Sequence, residues 1–179
     1  MTLRGLPSVL LAVLMGLAVL FSTLASAEDS SAPPAPVGDP EHGRTVYQKI
    51  GYCVNCHGWA GDGQSGRNPL SHAAATNLRE TKLDAQGLLD VIRCGIPGTQ
   101  MPYHDGASYK DGRCYGLLMS DFDENQQPVR GKTFRERQMV DLIAYLGEYV
   151  IGHGEPTYEE CVLYFDTSAD RSCAYLKSQ

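Results

Sequence analysis

Two cysteines stand three positions apart in the stretch GYCVNCHGWAGDG, and a histidine follows the second at once: Cys53, Cys56 and His57. On a helix, thiols at this spacing lie one turn apart, so each can form a thioether to one side of a porphyrin while the adjacent imidazole is held beneath the iron. C-x-x-C-H is the attachment signature of a c-type haem. An imidazole on iron also needs its second ring nitrogen oriented by an acceptor, most often a backbone carbonyl. Two other chemistries use part of the pattern. Dithiol exchange also uses C-x-x-C but calls for a βαβ context, whereas EHGRTVYQKIGYC upstream reads as a short helix. Zinc needs further ligands at metal spacings, for which His72 and Cys94 are available.

The other side of an iron would need a second ligand, and Met101 is the leading candidate. It precedes Pro102 and follows CGIPGTQ, where glycine and proline cannot continue a helix that ends near Arg93. A thioether fixed in such a turn is a soft ligand that favours ferrous iron and raises the potential. Met119 and Met139 read better as core. His104 and His72 are the imidazole alternatives, and otherwise read as exposed polar groups near a haem edge. Tyr103, Asn77 and Arg79 are potential hydrogen-bond donors toward haem propionates.

The elements that must position these groups follow in order. A short helix precedes the motif, a glycine-rich loop follows it, LDAQGLLDVIRCGIPG reads as a middle helix, and TQMPYHD carries the methionine. The last long amphipathic run is Phe134 to Val150, with Met139, Leu142, Ile143, Leu146 and Val150 at intervals of three and four.

In this order the chain resembles a class I c-type cytochrome over roughly Pro40 to Gly152. The resemblance implies an all-α fold around one covalent haem c, bound by Cys53, Cys56, His57 and Met101, with His57 and Met101 on the iron. It also implies that Gly43 and Tyr47 lie where the first helix crosses the last, near Leu142 and Tyr145. A glycine there lets two backbones approach, and an aromatic ring fills the space beside it.

The chain has six cysteines, so four remain beyond the motif: Cys94, Cys114, Cys161 and Cys173. Three connectivities are open to them. Proximity along the chain favours Cys94–Cys114, a bridge across the methionine loop, and Cys161–Cys173, which would staple the tail into a hairpin-like extension. Closing a loop of the first size is worth about 3 kcal/mol on a chain-entropy view and would limit excursions of the methionine. Within the tail, CVLYFD reads as a short strand. Tyr158, Tyr164, Phe165 and Tyr175 give it apolar surface to bury on the haem domain or on a partner.

The first 27 residues have one basic residue, Arg4, then an apolar run and Ala25-Ser26-Ala27, the small-x-small pattern of a signal peptidase site. The expected division is therefore 1–27 signal peptide, 28–40 proline-rich linker, 41–152 cytochrome domain and 153–179 extension. Cleavage after Ala27 would place the protein in the periplasm; an uncleaved segment would anchor it to the membrane. The whole chain carries 15 basic and 21 acidic residues. Removing Arg4 leaves 14 minus 21, or −7, which argues against nucleic acid, where phosphate contacts need lysine and arginine.

With both axial positions taken by side chains, the implied role is single-electron transfer and not catalysis. An exported dehydrogenase, for which the resemblance suggests a quinoprotein, would be the donor, and a terminal oxidase or another cytochrome the acceptor. The alternatives are a relay or docking subunit of a larger redox complex, and a gas-binding or peroxidase-like haem protein with a displaceable methionine and His104 as its distal group.

Overall fold

The computed structural model describes residues 37–64 and 75–177. The expected signal peptide, most of the linker and His72 lie outside the described residues. Those described are helical and turn-forming throughout, with two isolated backbone bridges and no strand.

Helix α1, Pro40–Thr45, opens on Asp39, whose carboxylate accepts from the backbone N–H groups of Glu41 and His42. This is the usual way to satisfy the orphan donors of a first turn. The chain continues as one π-helical stretch, Val46–Ile50. Helix α2, Val54–His57, carries the cysteine–histidine motif. Helix α3, Ala85–Cys94, is capped by Asp84, which accepts from Gly87 N–H at 2.8 Å. Helix α4, Glu136–Tyr149, is the longest among the described residues, and the Gln138 side chain accepts from Arg135 N–H at its start. Helices α5, Tyr158–Phe165, and α6, Ala169–Ser172, form the extension.

The crossing of α1 and α4 is the centre of the fold. A Cβ on Gly43 would collide with the Asp141 carbonyl and stand 2.7 Å from Tyr145 Cβ, so only glycine allows this approach. Tyr47 packs beside it on Tyr145, ring centroids 5.5 Å apart. The expected crossing partners are thus the observed ones. Around them Val46, Ile92, Phe134, Met139, Leu142, Leu146 and Val150 form the main core, to which the periodic face of the last amphipathic run contributes Met139, Leu142, Leu146 and Val150, with Ile143 packed against it.

Buried under that crossing is a carboxylate. Asp141, 1% exposed, accepts from Asp39 N–H at 2.7 Å and meets His42 Nδ1 at 2.7 Å and Arg137 Nε at 2.9 Å. Burial by itself would raise its pKa, but the Asp39 and His42 hydrogen bonds and the charges of Arg137 and His42 hold the carboxyl below its ordinary 3.8.

Both expected disulfides are present, Cys94–Cys114 and Cys161–Cys173. The extension differs from the hairpin with a strand: CVLYFD lies within and just beyond helix α5. The reason is a capping box. Thr157 Oγ1 accepts from Glu160 N–H at 3.2 Å, and the Glu160 carboxylate accepts from Thr157 N–H at 3.0 Å. The disulfide then ties α5 to the chain just after α6, around a small core of Cys161, Ala169, Cys173 and Leu176.

This extension lies back on the domain that carries the motif. Trp59 packs on Tyr164 and Phe165, and its indole N–H donates to Tyr175 Oη at 2.9 Å. Arg44 donates to the carbonyls of Leu163 and Tyr164.

Candidate functional site

Among the described residues the only cysteines outside disulfides are Cys53 and Cys56, the pair of the C-x-x-C-H motif. The motif sits on a single helical turn held at both ends. Cys53 N–H donates to the Tyr47 carbonyl at 2.9 Å, and the Tyr47 hydroxyl donates to the Gly58 carbonyl at 2.7 Å. One buried residue therefore holds the chain on either side of the motif, Tyr47 through its backbone carbonyl before it and its hydroxyl after it. Cys56 is exposed, while burial pushes the Cys53 thiol up to about 12.

His57 Nδ1 lies 3.1 Å from the Thr76 carbonyl. A carbonyl only accepts, so Nδ1 carries the proton and Nε2 keeps the lone pair that a metal would take. Burial lowers the pKa of His57, with the Thr76 carbonyl opposing, which keeps the imidazole neutral near pH 7. This is the backbone acceptor that an iron-bound imidazole requires. Two free thiols one turn apart, beside an oriented neutral imidazole, fit a covalently attached haem c.

Met101 is half-buried on the turn after α3. Its carbonyl accepts from Ile96 N–H at 3.1 Å, and its own N–H donates to Thr99 Oγ1 at 3.1 Å. Of the competing methionines, Met139 is in the main core and Met119 packs on the cluster of Cys94, Tyr109 and Cys114, as their sequence setting implied.

Three expectations change. His104 is 3% exposed, not a surface group. Its ring stacks on Phe134 at 4.1 Å and Nδ1 donates to the Lys132 carbonyl at 2.7 Å, because its backbone N–H is drawn in against the Ile92 and Arg93 carbonyls. Arg79, one of the potential donors toward propionates, is buried and bonded to the carbonyls of Ala60, His153 and Gly154 and to both oxygens of Glu160. Asn77 Oδ1 accepts from the Arg79 N–H at 3.0 Å, a bond that does not engage its amide donors. The zinc alternative loses Cys94 to its disulfide.

Residues 38–114 match a family model described as cytochrome C oxidase, cbb3-type, subunit III. Together the motif and the match support a c-type cytochrome. The matched stretch contains the motif, α3, the Met101 turn and the first disulfide, and stops short of α4 and the extension. No curated protein and no solved structure matches the chain. The single C-x-x-C-H motif of the sequence suits one covalently attached haem, and the match is consistent with an electron-transfer role.

Sequence reasoning did not find the attachment of the extension. Arg79, Glu160, Trp59 and Tyr175 make it. The available signal was Thr157-Tyr158-Glu159-Glu160, a capping box that announces a helix and places Glu160 at its start. Between the extension and α1–α4 lies a cleft of about 230 Å³, bordered by Arg44, Trp59, Tyr145, Tyr149 and Leu163.

Proposed function

We propose that this chain is a periplasmic monohaem carrier. In it Cys53 and Cys56 would hold haem c through two thioethers, and His57 Nε2 and the Met101 thioether would be its iron ligands. The oriented imidazole of His57, with Nδ1 bound to the Thr76 carbonyl, is the observation that carries the reading. When bound, the haem supplies a one-electron couple between ferric and ferrous iron. The protein's part is to fix that group. Tyr47 grips the turn on which the thiols sit, Thr76 sets the tautomer of His57, and the Met101 turn presents a soft ligand that favours the reduced state.

With His57 and Met101 both on the iron, oxygen, peroxide or substrate would find no open position, which supports a role in transfer over catalysis. An exported dehydrogenase, such as a quinoprotein, would be the donor, and a terminal oxidase or a second cytochrome the acceptor. Such partners are held weakly, through small interfaces steered by charge.

A second reading has one observation in its favour. The match to an oxidase subunit over residues 38–114 suits a relay fixed in a larger redox complex. Purification of the native protein in mild detergent separates the two: a free carrier elutes alone, and a relay elutes with larger subunits.

The attachment itself is tested on protein produced with a c-type maturation system. The haem is expected to stay with the polypeptide through denaturing electrophoresis and acid–acetone extraction, and to be lost in Cys53→Ala/Cys56→Ala. Release of free haem from the unmodified chain would overturn the reading.

A further inference from the structure

The segment between Asp105 and Arg130 bears no part of the haem motif, yet two of its rings reach back to one turn. Helix α3 ends at Cys94, and Gly95 leaves it with φ of +62°. A Cβ on Gly95 would stand 2.7 Å from the Met101 carbonyl oxygen and 2.7 Å from Tyr103 N, so the methionine turn is laid directly on the end of this helix. The place of Met101 is thus set by the place of Cys94 and Gly95.

The last carbonyls of a helix have no partner within it. Here two of them are taken by phenols. Tyr109 Oη donates to the Cys94 carbonyl at 2.5 Å, and Tyr115 Oη donates to the Gly95 carbonyl at 2.9 Å. The Cys94–Cys114 disulfide ties the same point to the residue just before Tyr115. Burial pushes the Tyr109 phenol up to about 12, so its proton stays in place to be donated.

Both tyrosines pay for this reach in their backbone. Tyr109 has φ of +60° and Tyr115 of +59°, two of the four non-glycine residues with positive φ among the described residues. Residues other than glycine enter that region at a cost, and the surroundings must hold them there. Glycine would relieve the strain and lose the hydroxyl. Tyr115 is 52% exposed, so core burial does not account for its retention in this conformation.

We propose that Tyr109 and Tyr115 are positioning residues for Met101, their hydroxyls holding the end of α3 so that the methionine thioether remains on the iron against competing ligands. The proposal rests on the reading that Met101 ligates. It concerns ligand retention, which the attachment of the haem leaves open.

The test is imidazole titration of the ferric holoprotein, full chain, followed in the Soret region and in the methionine-to-iron charge-transfer band. Tyr115→Phe keeps the exposed ring and removes one hydrogen bond. It is expected to raise the apparent affinity for imidazole about fivefold, the equilibrium equivalent of one ordinary hydrogen bond. Tyr109→Phe should do at least as much. Tyr175→Phe removes the hydroxyl that accepts from Trp59 in the extension and is expected to leave imidazole affinity unchanged, even where it lowers thermal stability. Met101→Ala should lose the band and bind imidazole far more tightly than any of these. If Met101→Ala opens the iron while both tyrosine variants titrate like the parent, the positioning role is wrong and ligation by Met101 stands. If Met101→Ala keeps the band, ligation and positioning fall together.

Discussion

The guanidinium of Arg79, 3% exposed, meets both carboxylate oxygens of Glu160 at 3.0 Å across 81 residues of chain. The same guanidinium holds the carbonyls of Ala60, three residues past His57, and of His153 and Gly154, which lead into the extension. Glu160 in turn closes the capping box of α5 and lies 3.3 Å from His153 Nδ1. The segment that follows the haem motif and the start of the C-terminal extension are therefore joined through one buried cation.

Glu160→Gln keeps the shape and part of the cap but leaves Arg79 without its counter-charge. Removing one partner of a buried pair strands the other, and hydrogen bonds to charged groups are worth more than neutral ones. The expected loss is about 2 kcal/mol in the holoprotein, read as a lower denaturant midpoint at unchanged m-value. Hydrogen exchange should also speed up across 158–176. A variant within about 0.5 kcal/mol of the parent would show that the pair does not hold the extension.

Acid stability is expected to depend on Asp141. Its folded pKa lies below the ordinary 3.8, so the unfolded chain takes up the proton first as pH falls. The stabilisation is complete above the ordinary value and is lost as pH drops through the lower, folded one. Glu160, held below its ordinary 4.5 by the Thr157 N–H and Arg79 despite the opposing effect of burial, acts in the same direction. Thermal unfolding followed from pH 7 to pH 2 should show a midpoint that falls most steeply below about pH 4. Asp141→Asn should start lower at pH 7 and fall less over that range. Parallel curves for parent and variant would contradict this.

Much of this was legible in the sequence, for reasons that differ residue by residue. The α1–α4 crossing was readable through the resemblance to class I c-type cytochromes, which set Gly43 and Tyr47 against Leu142 and Tyr145; local pattern supplied the helical period of the last run. The motif was readable because its chemistry is contained in five consecutive residues. The two disulfides joined neighbours in sequence, where proximity is informative. By contrast, CVLYFD is apolar and short, a length at which strand and helix give the same pattern, and the deciding signal lay upstream in the Thr157–Glu160 cap. Arg79 and His104 were misplaced for another reason: their partners, Glu160 and Phe134, are distant in sequence, and burial of a polar side chain depends on partners that composition does not reveal.

Net charge makes the last prediction. The chain carries 15 basic and 21 acidic residues, a balance of −6, and electron exchange with a small charged reagent begins with an encounter in that field. A cationic reductant such as hexaammineruthenium(II) should be drawn in, and an anionic one such as ascorbate repelled. Raising ionic strength from about 0.01 M to 0.15 M shortens the reach of surface charge from about 30 Å to about 8 Å. The second-order rate of ferric haem reduction should then fall several-fold for the cation and rise for the anion, in stopped-flow traces at constant pH. These opposite slopes separate steering from a general effect of salt on the protein, which would move both rates the same way. If neither rate responds to salt, the acidic residues lie too far from the site of electron entry to guide a partner, and docking would have to rely on apolar contact.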